Sequence, residues 1–233
     1  MFVIYAHRGA SEYYPENTVS SFCAGIDMGA NGIETDVQIS KDGILMIYHD
    51  DSTEAKIGFP GSIADYTYEE LMQARMKNQK YGREDVLMTF EDFLKYFGWR
   101  NLTFAIELKV RGIARRVIDM LEKYGVKEKS VITSFDYESL KEARDCDKDV
   151  KIGWLYVDHA EGTIERLKHI NALQACPKAA NIKKEHIDEL YSNGFECRAW
   201  GIDNTDVMKY AVDIGVNAGM TINFPDKLIE YLK

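Results

Sequence analysis

Short apolar runs alternate with amphipathic stretches along the chain, a pattern typical of strands followed by helices. The runs that predict buried strands are Val3–Ala6, Gly32–Asp36, Thr103–Glu107, Ser130–Phe135, Lys151–Val157, Ala172–Cys176, Glu196–Ile202 and Ala218–Ile222. The periodicity between them predicts helices such as Asn17–Met28, Ile113–Lys123, Tyr137–Arg144, Thr163–His169, Lys184–Ser192 and Thr205–Ile214. This alternation indicates an α/β fold with a parallel sheet covered by helices. Eight units favour a closed (β/α)8 TIM barrel over an open doubly wound sheet, which has the same local pattern.

One segment breaks this rhythm after the second strand. The turn signal Lys41-Asp42-Gly43 predicts that Ile44–Asp50 folds back as a hairpin. Residues 51–88 are irregular, which predicts a small insertion over the barrel mouth before a helix at Phe90–Phe97. The sequence contains no linker or internal repeat, so residues 1–233 are predicted to form a single domain.

Composition narrows the class of protein. The 233 residues are 45% hydrophobic and 29% charged, an ordinary globular balance, and the formal net charge is −9. A chain this acidic is a poor ligand for nucleic acid or an anionic bilayer, so the expected partner is a small molecule. The N-terminal residues show no secretion signal, and no stretch predicts stable membrane insertion. The oligomeric state is open.

The four cysteines have no metal-binding or redox spacing. Cys23, Cys146, Cys176 and Cys197 form no Cys-x-x-Cys pair. Reduced thiols in the cytoplasm are therefore expected, with Cys23 and Cys197 as small core residues.

Acidic residues lie on two predicted strands, close to the ends where β/α barrels hold their active sites. Glu34 and Asp36 are two residues apart and therefore face the same side. Glu107 and Lys109 repeat that spacing on the next barrel strand. Three carboxylates suit one Mg²⁺ or Ca²⁺ ion, and such acids repel one another unless a cation lies between them. The alternative is a salt-bridge ladder of acids with Lys109.

Two histidines follow apolar runs at the same predicted end of the barrel. His7 ends the first strand and His49 ends the hairpin, and imidazole is suited to proton transfer near neutral pH. Arg8 offers a planar set of donors for a phosphate oxygen, and Lys109 offers a point charge. Either cation can instead pair with a carboxylate. Trp200 is expected either to contact a small ligand or to fill the barrel.

Other groups add less to the candidate site. Glu16 and Asn17 are expected to reach it from the first βα loop. Ser134 ends the fourth strand, but no Gly-x-Ser-x-Gly elbow is present, so a nucleophilic serine is disfavoured. Glycine-rich phosphate loops are also absent from the sequence, which weakens a nucleotide-binding interpretation.

The chain resembles the glycerophosphodiester phosphodiesterase family. The resemblance is most specific in His7-Arg8-Gly9-Ala10, Pro15-Glu16-Asn17-Thr18, Gly29–Gln38, Lys41-Asp42-Gly43 and His49-Asp50. Looser matches follow at Ile106–Lys109, Thr133–Phe135, Ala199–Asp203 and Gly219–Pro225. The resemblance implies a barrel with a small insertion, a divalent ion held by Glu34, Asp36 and Glu107, and acid-base catalysis by His7 and His49. The implied products are sn-glycerol 3-phosphate and a small alcohol such as choline or ethanolamine.

Three positions depart from the family pattern. Ala55 and Lys56 stand where many members carry an arginine, Asn223 replaces a common acid, and Asp203 replaces a common asparagine. We expect none of them to touch the proposed metal or proton-transfer residues. An altered substrate preference is the expected consequence.

Three other functions remain open at this stage. A lysophospholipid phosphodiesterase would need an apolar groove, for which Phe59, Tyr66 and Tyr68 are a weak signal. A binding barrel without catalysis would not need all five metal and proton-transfer residues. A sugar-phosphate isomerase or aldolase would use Lys109 as base or Schiff-base former.

Overall fold

Eight parallel strands close into a barrel in the computed structural model, which describes residues 2–233. The strands of the chain are β1 Val3–His7, β2 Gly32–Ile39, β3 Leu45–Ile47, β4 Arg75–Asn78, β5 Arg83–Val86, β6 Met88–Thr89, β7 Thr103–Leu108, β8 Ser130–Ser134, β9 Ile152–Tyr156, β10 Gln174–Pro177, β11 Glu196–Ile202 and β12 Gly219–Ile222. The barrel order is β1-β2-β7-β8-β9-β10-β11-β12, closed by the pairing of β12 with β1. The predicted (β/α)8 barrel is confirmed.

Helices cover the barrel because each carries one apolar face. They are α1 Val19–Asp27, α2 Glu54–Ile57, α3 Tyr68–Leu71, α4 Phe90–Phe97, α5 Ala114–Lys123, α6 Tyr137–Cys146, α7 Thr163–His169, α8 Lys184–Ser192, α9 Thr205–Asp213 and α10 Pro225–Tyr231, with short 3-10 turns at Ile63–Asp65 and Lys127–Lys129. In α5, for example, Val117, Ile118 and Leu121 are buried against the sheet. This one-sided burial follows from the 3.6-residue helical period.

The segment after β2 forms the predicted hairpin and insertion. Strand β3 pairs antiparallel with β2, and a two-stranded ribbon of β4 and β5 follows within the insertion. The insertion has its own small core, which includes Tyr48, Ile63 and Met76. Its ribbon docks on the first βα loop, where Arg83 Nη1 donates to the Tyr13 carbonyl at 2.7 Å. The insertion therefore covers one side of the barrel mouth.

The main core lies between the barrel and the helices, and two of the cysteines lie in it or pack against it. Cys197 is fully buried in this core, and Cys23 packs against it half-buried, as expected for small core residues. Across residues 2–233, no helix has the length and apolar character needed to cross a bilayer. The cytoplasmic location stays a prediction.

Candidate active site

The loop after β1 is strained where it forms the rim of the barrel. Arg8 adopts φ +54° and Asn17 φ +57°, in a region that non-glycine residues rarely occupy. Between them Gly9 has φ +86°, and a Cβ there would lie 2.3 Å from the backbone carbon of Ser21. Only glycine fits this contact, which lets the loop turn back beside β2.

Three buried carboxylates converge at the C-terminal end of β2 and β7. Glu34, Asp36 and Glu107 each place a carboxylate oxygen within 4.8 Å of the other two. Asp36 pairs with Glu107 in the parallel register, and Glu34 is two residues earlier on the same face. The structure therefore brings together the three residues that were predicted to share an ion.

These carboxylates perturb one another strongly. Burial and the neighbouring Asp36 charge raise the pKa of Glu34 well above its usual value, and the same two causes raise that of Glu107. Burial alone would also raise the pKa of Asp36, but the Arg8 guanidinium lowers it instead. Without a cation, full ionisation of the trio is therefore unfavourable.

The two predicted phosphate-binding cations contact these carboxylates. Arg8 Nε lies 3.2 Å from Asp36 Oδ2, and Arg8 Nη1 donates to both carboxylate oxygens of Glu16. Lys109 Nζ lies 3.0 Å from Glu107 Oε1. Asn17 Nδ2 donates to Asp36 Oδ2 at 2.9 Å, so Glu16 and Asn17 do reach the site from the first loop.

His49 is held by a chain of charged groups. Its Nδ1 lies 2.7 Å from Asp50 Oδ1, and Lys56 Nζ lies 3.0 Å from Asp50 Oδ2. Lys56 also lies 2.5 Å from Glu16 Oε1. Glu16, His49 and Asp50 are close enough to share an ion, but the Lys56 ammonium and the Arg8 guanidinium already neutralise the two carboxylates. A second metal ion is not needed there.

His7 has a neutral partner. Its Nδ1 lies 2.5 Å from Asn223 Oδ1, which also accepts the hydroxyl hydrogen of Ser11. Because an amide oxygen can only accept, this contact assigns the His7 proton to Nδ1 and leaves Nε2 without one. Nε2 lies 3.8 Å from Glu34 Oε2. Burial and the Arg8 charge lower the pKa of His7 to about 3.

A cavity of about 180 Å³ opens between these groups. It is lined by His7, Arg8, Glu34, His49, Glu107, Thr133, Phe135, Leu155, Arg198, Trp200, Gly201, Asp203 and Thr221. Trp200 and Phe135 meet edge-to-face, with centroids 4.8 Å apart, so Trp200 faces the cavity instead of filling the barrel. A larger space of about 720 Å³ lies at the opposite end, beside strand starts such as Val3 and Thr103. Barrel enzymes place chemistry at the C-terminal end, so the smaller cavity is the candidate site.

The trio also fits a hard divalent cation. Among residues 2–233, nothing hydrogen-bonds to the buried Asp36 Oδ1. A buried carboxylate oxygen without a donor is costly, and a metal ion is one partner that satisfies it. The donor set contains oxygen atoms only, which suits Mg²⁺ or Ca²⁺ better than a transition metal.

Comparison with known proteins agrees with this geometry. The sequence model of the Glycerophosphoryl diester phosphodiesterase family matches residues 7–227. The chain belongs to this family. It is therefore grouped with phosphoric diester hydrolases, and the carboxylate trio and both histidines lie inside the matched region.

Individual members of this family and solved structures match almost the whole chain. A glycerophosphodiester phosphodiesterase of Caldanaerobacter subterraneus is 29% identical over 99% of this chain and 98% of its own length. An Oleispira antarctica phosphodiesterase, solved with the product sn-glycerol-3-phosphate, shares the fold with TM-score 0.89, 22% identity, and coverage of 99% and 96%. A Galdieria sulphuraria structure described as a glycerophosphodiester phosphodiesterase gives TM-score 0.88, 23% identity, and coverage of 100% and 98%.

The expectation that the three departures avoid the proton-transfer residues is wrong. Asn223 contacts His7 directly, and Lys56 contacts Asp50, the partner of His49. The error arose because both contacts join segments far apart in sequence: Asn223 follows β12, which pairs with β1 to close the barrel, and Lys56 belongs to the insertion. Asp203 lines the cavity, so it does bear on the site. The roles of the metal and proton-transfer residues themselves stay predictions.

Three polar cavity residues matter for the chemistry of the site and were not predicted from the sequence. Thr133, Arg198 and Thr221 lie two residues before Phe135, Trp200 and Asn223 respectively. Side chains two apart on a strand share a face, so this spacing was the signal available.

Proposed function

We propose that the protein hydrolyses glycerophosphodiesters to sn-glycerol 3-phosphate and an alcohol, with one divalent cation and with His7 and His49 as proton-transfer residues. The observation that carries this proposal is the convergence of both histidines, Glu34 and Glu107 on one cavity, with the Asp36 carboxylate within 4.8 Å of the two glutamates. The product named in the Oleispira antarctica structure supports the substrate class.

The cation would be held by Glu34, Asp36 and Glu107. When bound, it supplies positive charge that polarises the phosphodiester and offsets the negative charge of the transition state. Arg8 and Lys109 add fixed positive charge beside it. Their ion pairs with the acidic residues keep both side chains directed toward the site.

The hydrogen-bond partners support different roles for the two histidines. His7 has a neutral partner in Asn223, so its free Nε2 is ready to take the proton from the attacking oxygen of water or of the glycerol 2-hydroxyl group. Asp50 holds the His49 ring through Nδ1, and His49 gives a proton to the departing alcohol oxygen. The phosphorus–oxygen bond to the alcohol breaks as the bond to the attacking oxygen forms.

The test is release of glycerol 3-phosphate from glycerophosphocholine and glycerophosphoethanolamine by EDTA-stripped protein. We expect activity only after Mg²⁺ or Ca²⁺ is added, and its loss in His7→Ala and in His49→Ala. Absence of turnover with either ion, in folded protein, would overturn the proposal.

The geometry gives less support to the other functions. Phe59 and Tyr66 line a cavity that shares no residue with the catalytic cavity, so an apolar groove for a lysophospholipid chain is not continuous with it. Burial alone would lower the pKa of Lys109, but Glu107 and Asp36 raise it. A lysine kept protonated in this way is a poor base or Schiff-base former.

A further inference from the structure

A buried arginine lies at the floor of the catalytic cavity and has no part in the mechanism above. Arg198 is 1% exposed and still lines the cavity. Its contacts are neutral: Nε donates to Gln174 Oε1 at 3.2 Å, Nη1 to Thr221 Oγ1 at 2.6 Å, and Nη2 to Cys176 Sγ at 3.6 Å. Among these contacts there is no carboxylate, in the part of the chain that the structure describes.

A guanidinium buried in this way is costly unless its donors are used. Arginine has five N–H groups, and the three contacts above leave two without an acceptor within residues 2–233. Thr133, on β8, lines the same cavity and is fully buried. Its Oγ1 has no hydrogen-bond partner among the described residues. The floor therefore presents unused donors and an unused hydroxyl group to a ligand.

We propose that this floor, formed by Thr133, Arg198 and Thr221, hydrogen-bonds the hydroxyl groups of the glycerol part of the substrate. The inference rests on the proposed function. Threonine hydroxyls both donate and accept, and the guanidinium donates, so together they suit alcohol oxygens.

The other two parts of the diester fit the floor less well. The phosphate group must reach the carboxylate trio, which lies at the rim. Arg198 lies deeper, two residues before Trp200 on β11. An alcohol that carries an ammonium group would be repelled by the guanidinium, because its hydrogen-bond partners among residues 2–233 include no carboxylate. Asp203 directly follows β11 and lines the cavity at its mouth. We assign the variable alcohol to that side.

The first measurement is calorimetric binding of sn-glycerol 3-phosphate and of inorganic phosphate to the Mg²⁺-loaded protein. The wild type should bind glycerol 3-phosphate about tenfold more tightly than phosphate, because only the former has hydroxyl groups for the floor. Arg198→Met and Thr133→Val should each remove most of that difference and leave phosphate affinity within about twofold. Thr103→Val, the same change at the opposite end of the barrel, is the control.

Equal loss of affinity for both ligands in the variants, or no loss for either, would overturn the subsite. Thr133→Val decides the question if Arg198→Met does not fold. Hydrolysis of glycerophosphocholine by the wild type, measured alongside, separates the two proposals. If the wild type hydrolyses the diester and both variants bind the two ligands as the wild type does, the subsite is refuted and the proposed function stands. If the variants show the predicted binding pattern but the wild type hydrolyses no diester, the proposed function is refuted and a glycerol-phosphate site remains.

Discussion

Replacing Glu34 by glutamine should stabilise the metal-free protein and remove its response to Mg²⁺. Two unit charges 4.8 Å apart repel by about 3.5 kcal/mol at an effective dielectric constant of about 20. Arg8 and Lys109 offset part of this repulsion, and a shared proton relieves more of it. We therefore expect Glu34→Gln to raise the free energy of unfolding by about 1–3 kcal/mol in EDTA at pH 8.

The gain should depend on pH with a definite sign. The pKa of Glu34 is raised above its value of 4.5 in the unfolded chain, so the folded protein binds more protons than the unfolded one above that pH. Stability in EDTA should therefore fall as pH rises from about 5 to 8 in the wild type. In Glu34→Gln this decline should be smaller, because its largest source has been removed.

Thermal unfolding with and without Mg²⁺ measures both effects. In the wild type, Mg²⁺ at 100 times its dissociation constant should add about 2.7 kcal/mol, or roughly 5–11 °C in Tm. Glu34→Gln should show almost no shift and no diesterase activity. Glu165→Gln, an exposed glutamate on α7, makes the same charge change and is the control. A full Mg²⁺ shift in Glu34→Gln would show that the trio does not hold the ion.

Three further changes test other parts of the site. Asn223→Asp places a negative charge beside His7 and should shift the acidic limb of the pH profile of kcat/KM to higher pH by about one unit. An unchanged limb would argue against His7 as proton acceptor. Asp50→Asn should lower kcat about 100-fold or more, because His49 loses the carboxylate that orients its ring through Nδ1, while calorimetry shows unchanged Mg²⁺ affinity. A weakened Mg²⁺ affinity would instead place Asp50 among the metal ligands. Thr133→Val removes a buried hydroxyl group that has no partner among the described residues, so denaturant unfolding should show a gain of up to about 1 kcal/mol; a loss of that size would mean that the hydroxyl is hydrogen-bonded in the ligand-free protein.

The barrel was predictable because each of its strands is buried on both faces and reads as a short apolar run. The ribbon of β4 and β5 was missed, since its residues are charged and largely exposed and its pairing depends on docking against the first loop. Helix α10 was also missed, because Pro225 at its start reads equally well as the end of a turn.

The site was predictable only where its residues lie close in sequence or repeat at strand spacing. Glu34, Asp36 and Glu107 follow from alternation along two adjacent strands. The contact of Asn223 with His7 joins residues 216 positions apart, and no local pattern carries that information. Arg198 was missed for a different reason, since a charged residue within an apolar run suggests an exposed position, yet here it lies inside the barrel.

The charge balance of the site shows why the ion and the substrate depend on each other. Around the cavity, six carboxylates face four basic side chains, so the fully ionised site carries two net negative charges. These groups are Glu16, Glu34, Asp36, Asp50, Glu107 and Asp203 with Arg8, Lys56, Lys109 and Arg198. A divalent cation makes the net charge zero, so a diester with its single negative charge enters a neutral site instead of a negative one. The product monoester carries nearly two negative charges at neutral pH and leaves the site more negative than the diester does. The same balance that requires metal before substrate therefore favours release of the product.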